Sequence, residues 1–223
     1  MAIKRILVAL GGSEYMDVAM RDACEIARRH DGELYGLALG DEAISNQLQA
    51  TPMGGGVAAK ELRESREESI ESGMHDAIAR FNEVCAAEGI EGHVIEAHGE
   101  AIGVIVEQLK LMDLGIFGIR RTFDYGAGTH PDDFLAQVAK AARRPILAVA
   151  TPAKPIKRVL VAYDGSLPAA DALRSFAALH AFDGGDFRAL DAIALLVDRK
   201  FFEEKEDLEL ARKYAESITD EAL

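Results

Sequence analysis

Lys4-Arg5-Ile6-Leu7-Val8-Ala9-Leu10-Gly11-Gly12-Ser13 is the stretch whose reading decides the fold. Ile6 to Ala9 are apolar without alternation, as in a parallel strand covered on both faces. Gly11 and Gly12 permit a tight turn. Ser13 stands at a helix N-cap position, before a helical pattern that begins near Asp17. The stretch returns as Lys157-Arg158-Val159-Leu160-Val161-Ala162-Tyr163-Asp164-Gly165-Ser166, with seven of the ten positions identical. A repeat at that long spacing marks a duplicated domain and not a solenoid.

Outward from the first copy, strand and helix patterns alternate. Val18, Ala19, Ala23, Ile26 and Ala27 make a helical stripe, and Arg28, Arg29 and His30 load its last turn with groups that the helix dipole favours there. Asp31-Gly32 stops it, and a second strand covers Leu34 to Leu39. A loop is expected from Glu42 to Ala59, because Thr51-Pro52-Met53-Gly54-Gly55-Gly56 holds no regular element; a segment of that kind is functional or merely mobile. Lys60 to Glu88 reads as a charged helix with Ile70, Met74, Ala77, Ile78, Phe81 and Val84 on one side. A short strand at His93 to Glu96 follows, then a helix opened by Gly99-Glu100-Ala101, with Ile102, Ile105, Val106 and Leu109.

Leu114 to Gly118 is the fourth strand, and a polar, glycine-bearing connection runs from Ile119 to His130. Pro131-Asp132-Asp133 suits a helix start, with Phe134, Val138 and Ala141 as its apolar face; Pro145 opens a fifth strand, Ile146 to Val149. Such alternation implies right-handed crossovers and one parallel sheet with helices on both faces. The second copy offers a strand (Val159 to Ala162), a helix (Ala169 to Ala181), a strand (Ala192 to Val197) and a charged helix (Glu203 to Thr219). The expected division is therefore a domain at 1–152, a linker at 153–156 and half of a second domain at 157–223, unless the chain is a piece of a longer protein.

Composition narrows the function. The chain has 223 residues, 49% of them hydrophobic, as in a globular protein. A net charge of −13 disfavours nucleic acid or an anionic membrane as the partner. No apolar run approaches the roughly 20 residues that span a bilayer, and Met1 to Arg5 lead straight into the first strand with no separate signal segment. Cys24 and Cys85 sit in apolar helical patterns, where buried free thiols are the plain reading and a disulfide or metal site the alternative. All of this suits a reducing cytoplasm.

Motifs for chemistry are sparse. There is no Gly-x-Ser-x-Gly elbow, no Gly-Lys-Ser/Thr phosphate loop and no Gly-x-Gly-x-x-Gly after a strand. Glu100, Asp113 and Asp124 read as caps and surface charges, and His93 and His98 lack metal-ligand spacing. The residues themselves identify no catalytic group and no metal ligand.

The order and spacing of these segments resemble the universal stress protein family in tandem form. The resemblance rests on the first strand with its Gly-Ser turn, on Gly99-Glu100-Ala101, and on Asp113-Leu114-Gly115-Ile116-Phe117-Gly118, which resembles the family's Asp-Leu-Ile-Val-Met-Gly. Arg144-Pro145-Ile146-Leu147-Ala148-Val149 is similar to its closing Cys-Pro-Val-Leu-Val-Val. It covers residues 3–150 in order and resumes at 157. It implies a doubly wound, open, Rossmann-like α/β sheet of five parallel strands, order 3-2-1-4-5, with a partial second copy. Ligands of such folds bind at the switch point between strands 1 and 4.

Many members of the family bind ATP there, using an Asp at the end of strand 1 and a Gly-x2-Gly-x9-Gly-Ser/Thr motif after strand 4. Here the Asp position is Gly11. Gly118 keeps the first glycine, Arg121 replaces the second, Pro131 and Asp132 stand where Gly and Ser belong, and Gly128-Thr129 reads as a shifted remnant. Asp132 and Asp133 would repel a triphosphate, whereas Arg120 and Arg121 are able to pair with an anion. The second copy keeps Asp164, Gly165 and Ser166 without a phosphate half. The degenerate nucleotide site implied is Leu10, Gly11, Gly12, Ser13, Leu39, Gly118, Arg120, Arg121, Gly128 and Thr129, with Asp164, Gly165 and Ser166 of the second copy.

The resemblance thus implies a regulatory, stress-response module rather than an enzyme, acting through self-association, pairing of its two copies or a protein partner. The alternative is an ATP- or AMP-binding member with slow or no hydrolysis.

Overall fold

A computed structural model of the chain describes residues 3–41, 56–119, 122, 123, 125, 133–152, 158–163, 166–179 and 192–197. The chain divides into two compact units, one spanning Ile3–Ala153 and the other containing Lys154–Leu223.

In the first unit the elements follow in the order β1 (Arg5–Ala9), α1 (Glu14–His30), β2 (Glu33–Asp41), α2 (Gly56–Glu88), β3 (Gly92–Gly99), α3 (Ala101–Leu109), β4 (Leu114–Gly118), α4 (Phe134–Ala142) and β5 (Ile146–Val149). All five strands are parallel and lie in the order β3-β2-β1-β4-β5. The expected doubly wound sheet is therefore present. β1 is central, with Ile6, Leu7 and Val8 fully buried, which is why the run carries no polar alternation. Leu7 pairs with Tyr35 of β2 on one side and with Gly115 of β4 on the other.

Right-handed crossovers place α1 and α2 on one face and α3 and α4 on the other. α1 packs on β1 and β4 and touches α2, while α3 and α4 pack on each other. α2 turns Ile70, Met74, Ala77, Phe81 and Cys85 inward at helical spacing. Phe81 lies over the edge half of the sheet, where β2 and β3 present Gly36 and Gly92; a β-carbon on either would stand within 3.2 Å of its ring. In α4, Phe134 and Val138 are buried as expected, but Ala141 is exposed.

The element ends follow local chemistry. Asp31 ends α1 in the left-handed conformation, with φ 50°. Ser13 sits at the N-cap of α1 with extended backbone but forms no side-chain cap bond. Glu100 is the N-cap of α3, and its carboxylate accepts the backbone N–H groups of Ile102 (3.0 Å) and Gly103 (2.7 Å). Asp113 accepts those of Lys4 (2.8 Å) and Arg5 (3.0 Å), tying the start of β4 to that of β1. Both carboxylates are structural, as their positions suggested; Asp124 lies outside the described residues.

Several elements run longer than their sequence patterns, α2 and β3 by the most. α2 starts at Gly56, because Val57-Ala58-Ala59 continue a helix once the glycine run is passed. β3 extends from Gly92 to Gly99, paired throughout with Leu34 to Asp41; ladder bonds carry both strands through residues that favour turns.

The second unit contains β6 (Arg158–Tyr163), α5 (Leu167–Leu179) and β7 (Ala192–Val197). β6 and β7 are parallel, with Arg158 opposite Ala192. The Oγ of Ser166 accepts the backbone N–H of Ala169 at 3.3 Å and opens α5 two residues ahead of the expected start. The charged helix expected over Glu203 to Thr219 lies outside the described residues.

Candidate functional site

The switch point lies at the C-terminal ends of β1 and β4. Leu10, just beyond β1, still follows the ladder, donating its N–H to the carbonyl of Leu37 at 2.8 Å. A regular parallel ladder would next join the N–H of Leu39 to the carbonyl of Leu10. Instead the hydroxyl of Tyr125 stands between them. It accepts from the Leu39 N–H at 3.3 Å and donates to the Leu10 carbonyl at 2.5 Å. The strands part at that rung, and a phenol from the connection after β4 bridges them.

Tyr125 is only 8% exposed. Its side chain lies on Gly73 of α2, where a β-carbon would stand 2.8 Å from its own. Burial pushes its phenol far above the ordinary range, against a smaller opposing pull from the Leu39 N–H. The hydroxyl therefore keeps its proton at neutral pH and serves as donor and acceptor together.

Thr122 and Phe123 complete the cover, and both are buried. The Thr122 hydroxyl donates to the carbonyl of Gly118 at 3.1 Å, which holds the connection against the end of β4. The backbone carbonyl of Thr122 in turn lies over Gly11, its oxygen 2.0 Å from where a β-carbon on Gly11 would stand. Gly12 has φ 66° and turns the chain toward α1.

Of the residues expected in the site, Leu10, Gly11, Leu39 and Gly118 come together around Thr122, Phe123 and Tyr125. Gly12 and Ser13 follow as the turn and the N-cap of α1. Arg120, Arg121, Gly128, Thr129, Asp164 and Gly165 lie outside the described residues. Ser166 belongs to the second unit, where it caps α5. Thr122, Phe123, Tyr125 and Gly73 were not expected. The available signal was Phe123 and Tyr125, two aromatics alternating within an otherwise polar connection.

Elsewhere, His93 stacks on Tyr35 (4.7 Å between ring centres) and its Nε2 lies 3.6 Å from Glu33 and 3.5 Å from Glu91. Five positions along one strand put His93 and His98 on opposite faces of β3, and the described residues contain no cluster of metal-ligating side chains. Cys24 and Cys85 are buried free thiols.

A model of the universal stress protein family matches residues 2–114. The chain belongs to that family. Its sheet order is the one expected of a universal stress domain. No curated protein matches the sequence. Among solved structures, a universal stress protein from Archaeoglobus fulgidus DSM 4304 shares 14% identity with a TM-score of 0.58, over 93% of this chain and 71% of its own. The universal stress protein UspA from Lactobacillus plantarum shares 18% identity with a TM-score of 0.47, over 67% of this chain and 99% of its own. A universal stress protein in complex with cAMP shares 16% identity with a TM-score of 0.43, over 68% and 99%. These identities speak for the fold. The described part of this universal stress protein includes no helix long and apolar enough to cross a membrane.

Proposed function

We propose that this chain is a regulatory, stress-response module of the universal stress type that acts by association, with a degenerate nucleotide site and no catalytic role. The observation that carries the reading is the contact of Gly11 with Thr122. At the end of strand 1, where nucleotide-binding members are expected to hold a carboxylate, this chain has no side chain, and its own backbone covers the place. A charge-assisted hydrogen bond contributes about 1.5–3 kcal/mol, so loss of that carboxylate alone weakens binding by roughly ten- to a hundredfold.

We further infer that residues 157–223 are the first half of a second universal stress domain. Three features support this: the repeated Lys-Arg-x-Leu-Val-Ala run, the parallel β6-α5-β7 unit, and a fold likeness to the Archaeoglobus fulgidus protein that extends over 93% of this chain. Among the described residues β6 pairs only with β7. We propose that its other edge is a ladder through which the chain associates with a second copy or a protein partner.

The test is calorimetric titration of ATP and of AMP into the purified chain, with its mass in solution measured by light scattering. Affinity no tighter than high micromolar, together with a mass above that of one chain or a complex with a partner, is the expected result. Submicromolar ATP binding would replace this reading with the nucleotide-binding one.

A further inference from the structure

We propose that Tyr125 is a built-in ligand: its phenol occupies, between the ends of β1 and β2, a site shaped for a planar ring bearing one group that both donates and accepts. This rests on the reading above that the cleft is not a working nucleotide site.

Three elements converge on the ring. The Leu10 carbonyl and the Leu39 N–H present an acceptor and a donor at a rung where the ladder has opened. A single hydroxyl satisfies both, and without it two backbone groups of fully buried residues would lack partners. The third element is α2. Glycine inside a helix costs about 1 kcal/mol relative to alanine, so Gly73, placed within a 33-residue helix, calls for a packing reason. That reason is the tyrosine, since a β-carbon there would come within 2.9 Å of both its Cβ and Cδ1. The opened rung, the missing β-carbon and the phenol fit one another as receptor and ligand fit. The consequence is that the place between the ends of β1 and β2 is filled by the chain itself, and its filled state does not depend on the concentration of any nucleotide.

A free phenol should then replace the side chain when the side chain is removed. The probe is p-cresol, which reproduces tyrosine beyond its Cα, with toluene as the same ring without the hydroxyl. In the full chain, Tyr125→Gly, which clears the Cβ as well as the ring, should lower Tm, bind p-cresol saturably and regain part of the lost Tm. Toluene should bind it roughly tenfold more weakly, the factor a net hydrogen bond supplies. The unmodified chain should take up neither. A folded Tyr125→Gly chain that takes up no p-cresol, or an unmodified chain that takes up as much, overturns the proposal.

If Tyr125→Gly does not fold, Tyr125→Phe and Gly73→Ala decide. The chain has five tyrosines. In an ultraviolet titration Tyr125→Phe should remove a step that lies above ordinary tyrosine, and Gly73→Ala, by crowding the ring out, should bring that step down. A Gly73→Ala titration identical to that of the unmodified chain overturns the proposal. Tight ATP binding by the unmodified chain would instead overturn the reading on which it rests, so the two failures are distinct.

Discussion

The carbonyl oxygen of Thr122 lies over Gly11, 2.0 Å from the point a β-carbon would occupy. On the proposed reading, the absence of a carboxylate at the end of strand 1 is thus more than a lost contact. The connection after β4 has settled into the space that a side chain there would need, and the Thr122 hydroxyl holds it through Gly118.

Restoring the acid by Gly11→Asp should therefore destabilise the chain without restoring ATP binding. The new side chain meets backbone and not a flexible tip, so a cost of about 2–3 kcal/mol is expected, in the range of overpacked cores. Urea unfolding measures the cost and calorimetry the ATP binding. A variant as stable as its parent that gains ATP affinity shows that the cover yields easily.

Phe81 fills the space over Gly36 and Gly92 and is fully buried. Phe81→Ala should lower the unfolding free energy by about 3–5 kcal/mol. The midpoint in urea should fall with the slope unchanged.

Glu100→Ala removes both cap bonds at the start of α3, with an expected cost of about 1 kcal/mol. Glu100→Gln keeps an acceptor and should recover part of that. Equal stability of all three chains by thermal melting contradicts a capping role.

Burial, aided by Cys85 and Glu88 and opposed by Arg28, pushes the Cys24 thiol up from 9.0 to about 11. At neutral pH the folded chain should resist iodoacetamide at Cys24, while the urea-unfolded chain reacts, as mass spectrometry will show. The folded state holds this proton more tightly than the unfolded state. Its contribution to stability is therefore complete below pH 9.0 and declines as pH rises from there through about 11. Cys24→Ser should flatten that decline; an unchanged pH profile would assign it to another group.

The sequence by itself determined the elements and their sequence along the chain. Leu114–Gly118, Ile146–Val149 and Ala192–Val197 are strands at the very residues their apolar runs and flanking breakers mark, because burial on both faces is written locally in composition. The right-handed crossover, together with the family resemblance, then leads to the order 3-2-1-4-5, which the sheet adopts. Part of the candidate site was legible in the same way: Leu10, Gly11, Leu39 and Gly118 stand at strand ends, where such folds gather ligands.

Only the tertiary structure decided what meets them. Tyr125 is far in sequence from Leu10, Leu39 and Gly73, and joins them because β1, β2 and α2 converge at one corner. Periodicity reports which face of an element is buried. It carries no record of which atom will satisfy a given backbone N–H or carbonyl, since that depends on where two strands part and which distant side chain fills the gap. Gly11 in the sequence reads as the place of an absent carboxylate only through the family resemblance; in the folded chain it is the seat of the Thr122 carbonyl.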